Sequence, residues 1–327
     1  MPPEPRANLR LSGHGGAVAA LRHAALSGRL HHGWLLTGPK GIGKATLAYR
    51  FARWLLAGGQ AEDLSVPEQS GVARRITAGT HPDLFTVERR VNQKTDKLQA
   101  EIVIATVQEA SAFMRLTPAE GGWRVVIVDG AEDMNPNAAN ALLKLLEEPP
   151  PRAILLLTSA APGRLLPTIR SRCRVLPMAP LPDETMRALL ADYAPELAPK
   201  AHNSLVALAE GSIGTALALA AEDGLALAAL VEEALDAPVA PARAQAIADT
   251  VARTVEGADR FEVFFALLRT RMAARVRAAA RGGKEAGSLV PTIALWQDFG
   301  KLEREVIGLN LDKRAAIIVA LGQLHYS

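Results

Sequence analysis

Trp34-Leu35-Leu36-Thr37-Gly38-Pro39-Lys40-Gly41-Ile42-Gly43-Lys44-Ala45-Thr46 is an apolar run that breaks into a glycine-rich turn and then into a helical pattern. The turn reads as a phosphate-binding loop. Gly38, Gly41 and Gly43 admit backbone angles closed to other residues, so successive N–H groups can face a phosphate at the positive end of the following helix. Lys44 supplies the point charge. The spacing follows G-x-x-x-x-G-K-[ST] up to its last position, where Ala45 replaces the hydroxyl that would ligate Mg²⁺ and Thr46 comes one place late. A helix carrying Lys44 follows, burying Leu47, Phe51, Trp54 and Leu55 on one face.

Further along, Trp123-Arg124-Val125-Val126-Ile127-Val128-Asp129 has four consecutive β-branched residues ending in a carboxylate. That pattern describes a parallel strand buried on both faces, with Asp129 at the carboxyl edge where nucleotide sites form and where it would hold the water shell of Mg²⁺. The residue after it is Gly130, and the turn is expected to aim Glu132 elsewhere. Asn135 to Pro151 reads as a helix with Ala138, Ala141, Leu142 and Leu145 on one face, stopped by three prolines that cannot donate backbone hydrogen bonds. Ile154 to Ser159 is another buried strand, with Thr158 near its end. Before these elements, Val18 to Leu26 fits a helix, and His31 and His32 flank the first strand on opposite faces, without a metal role. Residues 58–80 read as an exposed excursion, Leu84 to Val87 as a strand, and the charged segment Glu88 to Gln99 as a loop. Ile102 to Leu116 reads as a strand end and a helix.

Leu142-Leu143-Lys144-Leu145-Leu146-Glu147-Glu148-Pro149-Pro150 and Ser171-Arg172-Cys173, with Gly13-His14 and Leu309-Asn310-Leu311-Asp312, resemble the AAA+ clamp-loader family of the bacterial DNA polymerase III holoenzyme. The resemblance covers nearly the whole chain. It implies an α/β fold: an AAA+ P-loop parallel-sheet domain (1–178), a small helical lid (179–224) and an all-helical C-terminal collar (225–327) through which subunits form a ring. It also implies that Arg172 is an arginine finger acting in trans on ATP held by a neighbour; without the family, an ordinary surface salt bridge is the favoured reading of this arginine. The motor subunits of the family carry Glu after the Walker-B Asp, an Arg in a Gly-Ser-x-Arg second sensor, and a zinc-binding cysteine cluster. Here those positions hold Gly130, Gly214 of Gly211-Ser212-Ile213-Gly214, and no cysteines. The losses imply a stator without catalysis in cis and without zinc. The alternative is a motor subunit that hydrolyses ATP with Glu132. ATP with Mg²⁺ at Gly38, Gly41, Gly43, Lys44, Thr46, Asp129 and the first-sensor residue Thr158 remains open. Partners implied by the resemblance are the motor (gamma/tau) and delta subunits and, through the complex, the sliding clamp and primer-template DNA.

The rest of the chain is read as helices. Thr185 to Leu190, Leu205 to Glu210 and Thr215 to Ala221 fit the lid. Leu230 to Leu235, Ala242 to Val255, Arg260 to Arg281, Thr292 to Gly308 and Asp312 to Leu324 fit the collar, with Gly282-Gly283 and Pro291 marking a loop. The basic run Arg269 to Arg277 reads as a solvated face ahead of a DNA or partner contact.

Composition agrees with a folded, multidomain chain: 327 residues, 49% apolar. The single cysteine, Cys173, excludes an internal disulfide and any Cys₃ or Cys₄ zinc site. No apolar run long enough for a membrane helix and no secretory leader is visible, so a cytoplasmic protein without membrane contact is expected. The net charge of +3 is too small to argue for DNA binding by itself.

Overall fold

A computed structural model describes residues 3–92, 97–120, 122–221, 224–253, 260–283 and 285–324. It divides into two compact units, residues 1–195 with 209–215, and residues 196–208 with 216–327.

The first unit runs α1 (Gly15–Leu26), β1 (Gly33–Thr37), α2 (Lys44–Leu56), α3 (Gly71–Thr77), β2 (Leu84–Val87), β3 (Val91–Asn92), β4 (Lys97–Leu98), α4 (Ile104–Arg115), β5 (Arg124–Val128), α5 (Pro136–Glu147), β6 (Ala153–Ser159), α6 (Pro167–Ser171), β7 (Arg174–Pro177) and α7 (Asp183–Tyr193). Five strands form a parallel sheet in the order β2-β5-β6-β1-β7. Every residue of β1, β5 and β6 is buried, as their unbroken apolar runs require of strands covered on both faces. Alternation along each strand divides the core. Trp34, Leu36, Ile127 and Leu156 pack with α1 and α2, whereas Leu35, Val126, Val128, Leu155 and Leu157 pack with α4 and α5. Register sets Leu36 beside Thr158 and Val128 beside Leu157. The carboxyl ends of three strands are therefore level, and the phosphate loop, Asp129 and Thr158 share one edge.

Local structure departs from expectation in three places here. The excursion 58–80 contains α3, started by Ser70, whose Oγ accepts from the Ala73 N–H at 3.1 Å. The charged segment 88–99 carries the antiparallel pair β3–β4 on either side of residues 93–96, which lie outside the described residues. His31 and His32 do not point to opposite faces: their rings stack with centroids 4.4 Å apart, and they bond the carbonyls of Gly33 and Leu146.

The second unit is helical. α8 (Pro199–Ala209), α9 (Ile213–Ala221), α10 (Gly224–Asp236), α11 (Pro241–Ala252), α12 (Arg260–Arg281), α13 (Ala286–Leu309) and α14 (Lys313–Gln323) supply it, with residues 209–215 belonging to the first unit. Phe261, Phe264, Phe265 and Phe299 are fully buried and form ring contacts at its centre. Pro291 does not mark a loop. It lies inside α13, where it gives up one backbone bond near the exposed start of the helix. The basic face of α12 is largely spoken for: Arg269 pairs with Glu303 at 2.6 Å, Arg271 with Glu232 at 2.8 Å, and Arg275 with Glu232 and Asp236 at 3.0 and 2.5 Å. These cations tie α12 to α10 and α13 instead of forming a free solvated face. Among the described residues no single helix is long and apolar enough to cross a membrane.

Candidate functional site

The loop between β1 and α2 has Gly38, Gly41 and Gly43 at positive φ. Its hydrogen bonds divide cleanly. Lys44 Nζ donates to the carbonyls of Gly38 at 2.8 Å and Pro39 at 2.6 Å. Ser212 Oγ donates to the Lys40 carbonyl at 2.7 Å, the Gly214 N–H to the Gly41 carbonyl at 2.9 Å, and the Leu47 N–H to the Gly43 carbonyl at 2.9 Å. His14 Nε2 lies 2.7 Å from the Ile42 carbonyl. All six carbonyls from Gly38 to Gly43 are thus satisfied inside the chain. Among the described residues, the N–H groups of Lys40, Gly41 and Gly43 find no acceptor. A loop with its acceptors used and its donors free is built to receive an anion. Lys44 is buried yet keeps a third proton for that anion; burial lowers its pKa, opposed by the charges of Glu132 and then Asp129.

Residues 212–214 are therefore a clasp on the loop. A Cβ on Gly214 would stand 2.8 Å from Gly41 Cα, so backbone contact closes this position to a side chain.

Asp129 follows β5 as expected. Thr158 Oγ1 donates to Asp129 Oδ1 at 2.6 Å and accepts from the Gly130 N–H at 3.0 Å. Its one hydroxyl proton is committed to the carboxylate, so contact with a phosphate requires that bond to break. Of the side chains that would hold Mg²⁺, Asp129 is in place at the strand end, whereas Ala45 offers no oxygen and Thr46 lies in the first turn of α2. Glu132 Oε1 accepts from the Ala160 N–H at 2.7 Å and Oε2 is buried without a partner, while its charge acts on Lys44 against the effect of burial.

Arg172 is not brought into this site. It caps α6, next to the start of β7, and β7 pairs Arg174 with Trp34 at the amino end of β1. The phosphate loop begins at Gly38, at the other end of β1 and four residues beyond Trp34, a separation of about 13 Å at ~3.3 Å per strand residue. The Arg172 side chain is 37% exposed; Nη2 pairs with Glu147 Oε1 at 2.8 Å and Nη1 donates to the Thr168 carbonyl at 3.1 Å. The surface salt bridge expected of an isolated arginine is therefore present. Sequence reasoning missed Glu147 and His14 as participants, and placed Ser212 and Gly214 at a sensor position without foreseeing their bonds to the loop. Only Glu147 left a signal: a carboxylate in the last turn of a helix is misplaced with respect to the helix dipole and needs a cation.

Parallel sheet, phosphate loop, Walker-B strand and helical C-terminal region define an AAA+ module. Residues 13–182 match the family model described as DNA polymerase III, delta subunit, and the chain belongs to that family. It is 41% identical over 194 residues to the DNA polymerase III subunit delta' of Pseudomonas aeruginosa, covering 58% of this chain and 57% of the relative. It is 35% identical over 193 residues to the subunit delta' of Escherichia coli, covering 59% and 55%. Each match spans little more than half of the relative's length. A DNA polymerase III gamma subunit-related protein from Thermotoga maritima shares the fold, with TM-score 0.50 at 20% identity over 94% of this chain and 98% of that one.

Proposed function

We propose that this chain is the delta-prime stator of a bacterial replicative clamp loader, presenting Arg172 to ATP bound by an adjoining motor subunit. The observation that carries the reading is the position of Arg172, partly exposed at the end of the sheet opposite its own phosphate loop and so out of reach of a nucleotide held in cis. A guanidinium stays charged at all relevant pH and donates two parallel hydrogen bonds to developing phosphoryl charge. In comparable NTPases such a group is worth roughly 10³–10⁵ in rate. Gly130 and Gly214 support a non-hydrolysing subunit, and the free donors of the loop support retention of ATP as a bound, unhydrolysed ligand. Residues 179–224 act as the lid and 225–327 as the collar that joins the gamma/tau and delta subunits, in the cytoplasm, during loading of the sliding clamp on primed DNA. Arg172→Ala is expected to leave the reconstituted loader assembled while its DNA-stimulated ATPase collapses at the adjoining site. Unchanged turnover removes the assignment.

The second reading, hydrolysis in cis, is favoured by one observation: the unpartnered Glu132 Oε2 among the charges that act on Lys44. ATPase activity of the isolated chain, abolished by both Lys44→Ala and Glu132→Gln, would establish it over the stator.

A further inference from the structure

α5 ends at Glu147, with Glu148 and three prolines behind it, so two carboxylates stand at the negative end of a helix dipole. This placement is unfavourable for the helix alone. His32 Nε2 lies 2.9 Å from the Leu146 carbonyl at the same terminus, and Glu147 reaches Arg172 Nη2 at 2.8 Å. Arg172 has a second hold, its Nη1 donating to the Thr168 carbonyl of α6 at 3.1 Å. The guanidinium is thus held from two sides, by one carboxylate and one carbonyl. Of its five N–H donors three remain uncommitted to these partners, enough for a forked contact with a phosphate.

We infer that Glu147 is the positioning residue of the arginine finger: with the Thr168 carbonyl it holds the Arg172 guanidinium in one place at the protein surface before a neighbouring nucleotide arrives. The inference rests on the trans-acting role proposed for Arg172. A free arginine must lose most of its rotamer freedom when it meets a phosphate, and a pre-formed pair removes part of that loss. The pair is also weak enough not to trap the finger. Both side chains are more than a third exposed, 37% for Arg172 and 47% for Glu147, so solvent screens their attraction and the guanidinium can pivot on Thr168. Glu147 acts through Arg172 and never touches the reacting phosphate.

The test is a double-mutant cycle in the loader reconstituted from the full chain with its gamma/tau and delta partners, reading DNA-stimulated ATPase and assembly by gel filtration. Glu147→Ala should lower turnover about two- to fivefold, the range that a partly exposed ion pair supports. Glu147→Gln, whose amide oxygen still accepts a hydrogen bond, should fall between Glu147→Ala and the native chain. In an Arg172→Ala background, Glu147→Ala should have no further effect. If Arg172→Ala lowers turnover and Glu147→Ala does not, the positioning role is overturned while the finger stands. If Glu147→Ala costs the same factor in both backgrounds, Glu147 merely supports α5, and the inference is overturned too. If Arg172→Ala itself changes nothing, the finger assignment fails first.

Discussion

Gly214→Ala tests the clasp on the phosphate loop directly. The Gly214 N–H meets the Gly41 carbonyl at 2.9 Å, and an added Cβ would lie 2.8 Å from Gly41 Cα and 3.3 Å from its carbonyl oxygen. Both atoms are backbone, so no side-chain rotation relieves the contact. Forcing a methyl into such a site costs about 1–3 kcal/mol, and losing the hydrogen bond about 1 kcal/mol. Against this, alanine in the first turn of α9 regains up to ~1 kcal/mol over glycine in helix propensity. The net expectation is a loss of about 1–3 kcal/mol. In a unit of about 200 residues each kcal/mol moves the midpoint by ~2–4 °C, so Tm should fall by roughly 2–12 °C. Thermal unfolding followed by tryptophan emission reports mainly on this unit, because three of the four tryptophans, Trp34, Trp54 and Trp123, lie in it and only Trp296 lies in the other. Gly163→Ala is the control, since nothing stands within 4 Å of its added Cβ. Equal midpoints for the two variants would show that residues 212–214 do not grip the loop as described.

Cys173 is buried, and burial pushes its thiol up to about 12. At pH 8 its thiolate fraction should be about 10³-fold below that of an unfolded cysteine, so iodoacetamide labelling followed by mass spectrometry should be slower by that factor in the native chain than in urea; similar rates would contradict the burial. His81 is 5% exposed and accepts the Asp83 N–H on Nδ1 at 3.1 Å, which requires the neutral ring with its proton on Nε2. Burial and then Arg75 lower its pKa, against Glu120 and Asp83. The unfolded state therefore binds a proton first, and stability present above pH ~6.5 should be lost as pH falls from there towards the lower folded value. His81→Gln should flatten that acid limb in urea titrations at pH 7 and 5, and an unchanged slope would assign the limb to other groups.

The elements that were legible in the sequence are those whose apolar residues repeat at one period over a long enough window. β1, β5 and β6 are unbroken apolar runs, and α2 and α5 carry clear stripes, so the sheet and the phosphate loop between them could be read directly. The two-residue strands β3 and β4 are too short to show a period. Pro291 misled because a proline is punctuation in most helices, whereas one exposed backbone bond is a small loss in a helix of 24 residues. The basic face of α12 misled for a different reason: its acidic partners lie on other helices, Glu303 being 34 positions from Arg269 and Glu232 43 from Arg275, so the charges look unpaired along the chain. The clasp was invisible for the same reason. Ser212 and the loop it holds are 172 positions apart.

The three positions at which the motif residues are replaced differ in kind, and the backbone carries two of them. Gly130 sits at φ 74 and ψ 55, a left-handed conformation that costs other residues roughly 1–2 kcal/mol, and its added Cβ would point at Asp133 Oδ2, 3.1 Å away. A glutamate there would meet strain and a like charge together. Gly214 is closed by Gly41, so an arginine there would break the clasp before reaching any phosphate. Ala45, by contrast, is a half-buried side-chain position on α2, and no backbone feature of the kind found at Gly130 and Gly214 bars a hydroxyl from it. A hydroxyl at position 45 is therefore a side-chain change, while a glutamate at 130 or an arginine at 214 would each meet the backbone or a like charge. Arg172, at the opposite end of the strands and held by Glu147 and the Thr168 carbonyl, takes no part in these constraints.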